Sequence, residues 1–135
     1  MKQILDIESK NALVKYRLER ASETMKEAAL LSGEGYYTAA MNRLYYACYY
    51  AVISLLLKND LQAQSHAGVK TMFGLHFVAS GIVPIEIGKT LSTLFEKRQS
   101  GDYDDFVLCT KEDVAVLTDQ AYSFIEYIKS LVDEE

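Results

Sequence analysis

Between positions 9 and 31 the apolar residues Leu13, Tyr16, Ala21, Met25, Ala28 and Ala29 recur at helical steps, with charges filling most positions between them. Steps of three and four put such residues on one face, so this stretch predicts an α-helix with a single buried stripe. Gly33-Glu34-Gly35 ends it, because glycine supplies C-cap geometry and is poor inside a helix. Residues 36–58 show a different pattern: they are apolar around most of the circumference, and Arg43 is the only cation before Lys58. A helix of that kind belongs at the centre of a bundle or in a dimer interface. Asn59-Asp60 closes it, and residues 61–65 form a polar connection. A third helix is predicted over 66–80, with Val69, Met72, Phe73 and Phe77 on its apolar side, His76 nearby and Ser80-Gly81 as a stop. Pro84 suits the first turn of a fourth helix, where its missing N–H costs nothing; that helix runs to Gln99 with Ile87, Leu91, Leu94 and Phe95 inward. Residues 100–105 read as an acidic loop, and residues 106–109 are too short and isolated to build a sheet. Thr110 and Asp113 resemble a capping box, opening a fifth helix that carries Val114, Leu117, Ala121, Phe124, Ile128 and Leu131 in phase to Val132.

The pattern therefore predicts an all-α fold: one domain over 1–135, an up-and-down bundle of four to five helices with mostly short loops. A chain of 135 residues is long enough for one real core and too short for two comfortable ones. One proline and seven glycines exclude a collagen-like or Pro/Gly-rich disordered chain. With 14 Lys and Arg against 19 Asp and Glu, the net charge of -5 excludes a bulk electrostatic nucleic-acid binder, so any such contact must be local. Cys48 and Cys109 lack metal spacing and are too few for a disulfide framework; they are expected as reduced core thiols. The acidic start is unlike a signal peptide, and the uncharged stretch over 44–57 falls short of a membrane span of roughly 18 residues. A soluble, cytoplasmic protein with no membrane contact is the expectation. No Gly-rich phosphate loop, metal spacing, calcium loop or G-x-S-x-G nucleophile is present, so no cofactor and no metal are expected.

The chemistry concentrates in Asn42-Arg43-Leu44-Tyr45-Tyr46-Ala47-Cys48-Tyr49-Tyr50. On a helix, Arg43, Tyr46 and Tyr50 share one face, while Tyr45 and Tyr49 form a second stripe about 100° away. A guanidinium flanked by phenols can hold a phosphate bidentately while the rings stack on bases. The same tyrosines would equally serve packing in a core or an interface. An arginine in an apolar helix cannot be neutralised and needs a carboxylate, a phosphate or water. Asp102, Asp104 and Asp105 are candidate carboxylates if the acidic loop folds back over the helix.

The run Ala39-Ala40-Met41-Asn42-Arg43-Leu44-Tyr45-Tyr46-Ala47 resembles the central helix of HEPN domains. Ser65-His66-Ala67-Gly68-Val69 with Phe73 resembles the third helix of the small single-domain branch of that family. Phe95-Glu96-Lys97-Arg98 followed by Asp102-Tyr103 is similar to its fourth helix and acidic loop. The resemblance implies a helical bundle acting as a homodimer, often a metal-independent ribonuclease toxin paired with a minimal nucleotidyltransferase antitoxin. It implies a motif arginine at Arg43 and a motif histidine after four to six intervening residues, and Tyr50 stands at the six-residue spacing. Arginine would hold the scissile phosphate and histidine would assist proton transfer at the 2′-hydroxyl. Tyrosine, with an ordinary pKa of about 10, is a poor base near neutrality, so ribonuclease activity is expected to be weak or lost. Some such toxins are adenylylated on a tyrosine two residues past the histidine, and Val52 stands there.

Three readings follow. In the first, Asn42, Arg43, Tyr46 and Tyr50 bind RNA or a nucleotide, with His66, Arg98, Asp102 and Tyr103 as secondary candidates. In the second, the tyrosine-rich helix is the seam of a non-enzymatic interaction module. In the third, Tyr50 sustains residual ribonuclease activity.

Overall fold

Asp6 accepts a hydrogen bond from the Ser9 N–H at 2.6 Å and so caps the first helix, α1 (Ile7–Gly33). At its far end Gly35 takes a left-handed φ of +85°, which lets the Tyr36 N–H reach back to Leu31 O at 2.9 Å. The computed structural model describes residues 6–103 and 109–133, with side chains at all of these except 99–103. Among the described residues there are four further α-helices and no strand: α2 (Tyr37–Lys58), α3 (His66–Phe73), α4 (Ile85–Tyr103) and α5 (Lys111–Asp133).

The predicted stripe of α1 is turned slightly from expectation. Val14, Ala21, Thr24, Met25 and Ala28 are buried, whereas Tyr16 and Ala29 face solvent. Thr24 can enter the stripe because its hydroxyl donates to Arg20 O at 2.6 Å and carries no unmet polar group inward.

Of the two places open to α2, it takes the centre of the bundle, lying against α1, α3, α4 and α5. Leu44, Ala47, Cys48, Ala51 and Val52 are fully buried there, and Ser54 donates to Val14 O at 3.0 Å. Burial holds the Cys48 thiol protonated by pushing its pKa up. Cys109 is half-buried, and both cysteines are free thiols. Lys58 caps the end of α5, donating to Leu131 O at 3.3 Å and to Val132 O.

The third predicted helix does not stay α-helical to Ser80. After Phe73 the backbone widens into a π turn over Gly74–Val78, closed by Ala79 N–H to Gly74 O at 2.8 Å. The fourth helix exceeds its predicted end: α4 continues through Tyr103, so residues 100–103 are helical where a loop was expected. Helix propensity is a weak prior, and Ser100, Gly101 and Asp102 slow a helix without stopping it. Asp104, Asp105 and residues 106–108 lie outside the described residues. The capping box forms as expected, with Thr110 N–H to Asp113 and Asp113 N–H to Thr110, both at 3.1 Å.

The π turn sits against α4 at Gly88, where a Cβ would stand 2.8 Å from Val78 Cγ2. Gly88→Ala sets two effects against each other. Helix propensity gains about 1 kcal/mol. Overpacking costs about 1–3 kcal/mol and wins, because the struck Cγ2 belongs to a β-branched side chain that is stiff at χ1. The expected outcome is a lower denaturation midpoint for Gly88→Ala alone and a higher one when it is added to Val78→Ala. A midpoint unchanged in both backgrounds would mean the π turn shifts without cost.

Candidate functional site

One edge of α2 carries four of its five tyrosines, Tyr45, Tyr46, Tyr49 and Tyr50, and their burial differs. Tyr45 is only 1% exposed, so its hydroxyl must find a partner; it meets His66 Nδ1 at 2.7 Å. Burial raises the Tyr45 pKa against the opposing pull of Arg98, so the phenol keeps its proton and donates it. Burial, helped by the Arg98 charge, lowers the His66 pKa. The lowered pKa favours the neutral His66 imidazole, in which Nδ1 can accept from the Tyr45 hydroxyl. Its ring stacks on Tyr49 with centroids 4.3 Å apart, and meets Tyr46 edge-on at 5.6 Å. Ser65 supplies the capping at this helix start, accepting from Gly68 N–H at 2.9 Å, so His66 packs and does not cap.

The lowered His66 pKa has a sign that can be checked. The unfolded imidazole titrates near pH 6.5, above the folded one, so between those values the unfolded chain binds more protons. The contribution of neutral His66 is present in full above about pH 6.5 and is lost as pH falls through the folded value. Thermal melts between about pH 7 and about pH 5 should fall more steeply for wild type than for His66→Gln, whose amide can still accept from Tyr45. Parallel curves would assign the pH dependence elsewhere.

Around these rings stand the chain's four arginines, Arg17, Arg20, Arg43 and Arg98. Arg43 lies over the Tyr46 ring at 5.1 Å, and Arg20 over the Tyr50 ring at 5.3 Å. Arg98 stands 5.3 Å from the Tyr45 centroid and 5.4 Å from that of Tyr46, and donates to the Tyr46 hydroxyl at 3.3 Å. Arg17 is half-buried and donates to Ile53 O at 3.2 Å; burial lowers its pKa while Tyr49 opposes that shift. A chain with net charge -5 has gathered every guanidinium it owns beside one aromatic surface. Planar cations on aromatic faces, half-open to solvent, make a surface suited to phosphates and stacked bases.

The residues singled out in the sequence fall as follows. Arg43, Tyr46 and Tyr50 do share a face, with the Tyr46 and Tyr50 centroids 6.4 Å apart. Asn42 is half-buried, and its Oδ1 is buried with no hydrogen-bond partner among the described residues. His66 and Arg98, remote in sequence, join the tyrosine edge directly. Asp102 and Tyr103 belong to the last turn of α4, and their side chains lie outside the described residues. His76 is exposed. Among the described residues the carboxylate that meets Arg43 is Glu27 of α1, at 3.1 Å; the side chains of Asp102, Asp104 and Asp105 lie outside the described residues. Sequence reasoning missed Glu27, Arg17 and Arg20. Their spacing of three and seven along α1 places them on one face, and that was the available signal.

A family model described as the HEPN domain matches residues 14–131. A UPF0332 protein of Thermotoga maritima is 35% identical over 93% of this chain and 95% of its own length. Two proteins of Methanocaldococcus jannaschii are also similar. The one named "Putative toxin MJ0605" is 32% identical over 87% of each chain. The one named "Putative toxin MJ0142" is 27% identical over 94% of this chain and 86% of its own.

Proposed function

Because the chain belongs to the HEPN family, we propose that it is the toxin-like member of a toxin–antitoxin-type pair that binds RNA, or a nucleotide, on the α2 tyrosine face. On this reading residues 1–135 act as a single domain, work as a homodimer in the cytoplasm, and answer to a minimal nucleotidyltransferase as antitoxin. No helix among the described residues is long and apolar enough to cross a membrane. Ribonuclease activity is weak or lost, because Tyr50 occupies the histidine position of the motif.

The observation that carries the reading is that three of the four arginines, Arg20, Arg43 and Arg98, lie over the α2 tyrosine rings. Arg43 holds phosphate, Tyr46 and Tyr50 offer stacking surfaces, and Asn42 adjoins Arg43 on α2 with its Oδ1 buried. The test is binding of a short single-stranded RNA followed by fluorescence anisotropy. Loss of a charge-assisted contact of about 1.5–3 kcal/mol makes Arg43→Ala at least about tenfold weaker than wild type. A folded wild type that binds no RNA would sink the reading.

One observation favours the alternative of a non-enzymatic helical module. Arg43 already has a carboxylate, and the tyrosines already pack on one another and on His66. If RNA does not bind, that module is what remains.

A further inference from the structure

Glu27 sits between two guanidiniums. One carboxylate oxygen is 3.1 Å from Arg43 Nη1, and the other is 3.7 Å from Arg20 Nη1. Each guanidinium in turn covers a ring, Arg43 that of Tyr46 and Arg20 that of Tyr50. The guanidinium of Arg20 lies over Tyr50 at 5.3 Å, so the residue at the motif's histidine position faces a cation from another helix. The arrangement is two forks, two aromatic platforms and one anion held between them.

A carboxylate and a phosphodiester each present a pair of oxygens to a guanidinium, and arginine holds either bidentately. The three side chains are 29%, 29% and 43% exposed, so solvent reaches all of them. Ion pairs that exposed contribute little to stability, so moving the carboxylate aside costs little. Taking it away leaves two positive charges facing one point, where it now leaves one.

We infer that Arg20 and Arg43 form a clamp for one RNA phosphodiester, and that Glu27 occupies the phosphate position until RNA displaces it. The inference rests on the RNA-binding reading above. To that reading it adds Arg20, which lies outside the motif, and a competitor built into α1. Tyr50 is then a positioning residue for Arg20, and the bases next to the clamped phosphate stack on Tyr46 and Tyr50.

The experiment titrates a labelled single-stranded RNA with the full chain as wild type, Glu27→Gln, Arg20→Ala, Arg20→Lys and Glu27→Gln/Arg20→Ala, each checked for helical circular dichroism. Glu27→Gln is expected to bind severalfold tighter than wild type. Arg20→Ala is expected to bind about tenfold weaker, with a salt slope shallower by about 0.7 on logarithmic axes for the one lost phosphate contact. Arg20→Lys should restore charge but only part of the affinity, because an ammonium cannot fork. The double variant should lose the gain seen in Glu27→Gln. RNA binding that ignores both Glu27→Gln and Arg20→Ala overturns the clamp and leaves the RNA-binding reading standing. Absence of binding in every variant, Glu27→Gln included, overturns both. Displacement of the RNA by inorganic phosphate at comparable concentration would identify a free-phosphate site and overturn the assignment to RNA.

Discussion

Tyr50→His is expected to cleave RNA without added metal at least about 10²-fold faster than wild type, the lower end of what a positioned general base contributes. The substitution restores an arginine and a histidine with six residues between them on one face of α2. A phenol with an ordinary pKa of about 10 cannot take the 2′-hydroxyl proton near neutrality, whereas an imidazole near 6.5 can. Arg43 stands on the same face, beside the Tyr46 ring, and can meet the charge that develops on the phosphate. Arg20, now 5.3 Å from the Tyr50 ring, would favour the neutral imidazole and keep the base available at pH 7. Activity should therefore rise with pH and level off above the imidazole pKa. Cleavage is measured with wild type, Tyr50→His, Arg43→Ala and the double variant side by side, and adding Arg43→Ala to Tyr50→His should abolish the gain. A folded Tyr50→His protein that binds RNA and cuts it no faster than wild type would falsify the assignment of position 50. Cleavage by wild type that vanishes in Arg43→Ala would show that the phenol has kept the site active, which is the residual-ribonuclease reading.

Phe124→Ala should give the largest loss of stability. Phe124 is fully buried on α5 and meets Phe73 of α3 edge-on, with centroids 5.7 Å apart. Phe73 stacks in turn with Phe77 in the π turn at 6.1 Å. One ring thus ties α5 to α3 and to the irregular turn that follows it. Truncation removes the transfer free energy of the ring and leaves a cavity, together about 3–5 kcal/mol. Against a total of about 5–15 kcal/mol for a domain, that is a large fraction. The melting temperature should fall by roughly 10–15 °C. The helical signal should survive at low temperature, since α2 keeps its other neighbours. A fall of only one or two degrees would mean that the α3 segment slides in to fill the space.

Most of the fold is legible in local pattern. The helical steps of Val114, Leu117, Ala121, Phe124 and Ile128 on α5 correspond to buried positions, because an α-helix needs only its own chain to set its period. The near-absence of charge along residues 36–58 narrowed this helix to the centre of a bundle or a dimer interface, because only a helix covered on most sides can be apolar all round. Boundaries were less legible. The π turn after Phe73 and the run of α4 through Tyr103 depend on what packs against those turns, and local residue preference carries too little free energy to decide it.

The site divides along the same line. The face shared by Arg43, Tyr46 and Tyr50 followed from spacing alone, whereas the reading of Tyr50 as a replaced histidine rests on the family resemblance. The partners of that face did not. Glu27 reaches Arg43 from 16 residues away, His66 reaches Tyr45 across 21, and Arg98 reaches Tyr46 across 52. Such contacts depend on how α1, α3 and α4 are rotated and set down against α2, and no helical period carries that information. The sequence by itself determined which helix gathers Arg43 and the tyrosines on neighbouring stripes, since backbone geometry makes that property local. Only the tertiary structure decided that Arg43 is held by a carboxylate of α1, that His66 closes the tyrosine edge, and that Arg20 and Arg98 join Arg43 over its rings. Those facts belong to packing between helices, where the burial of apolar faces sets the distances and the polar side chains must take the partners it leaves within reach.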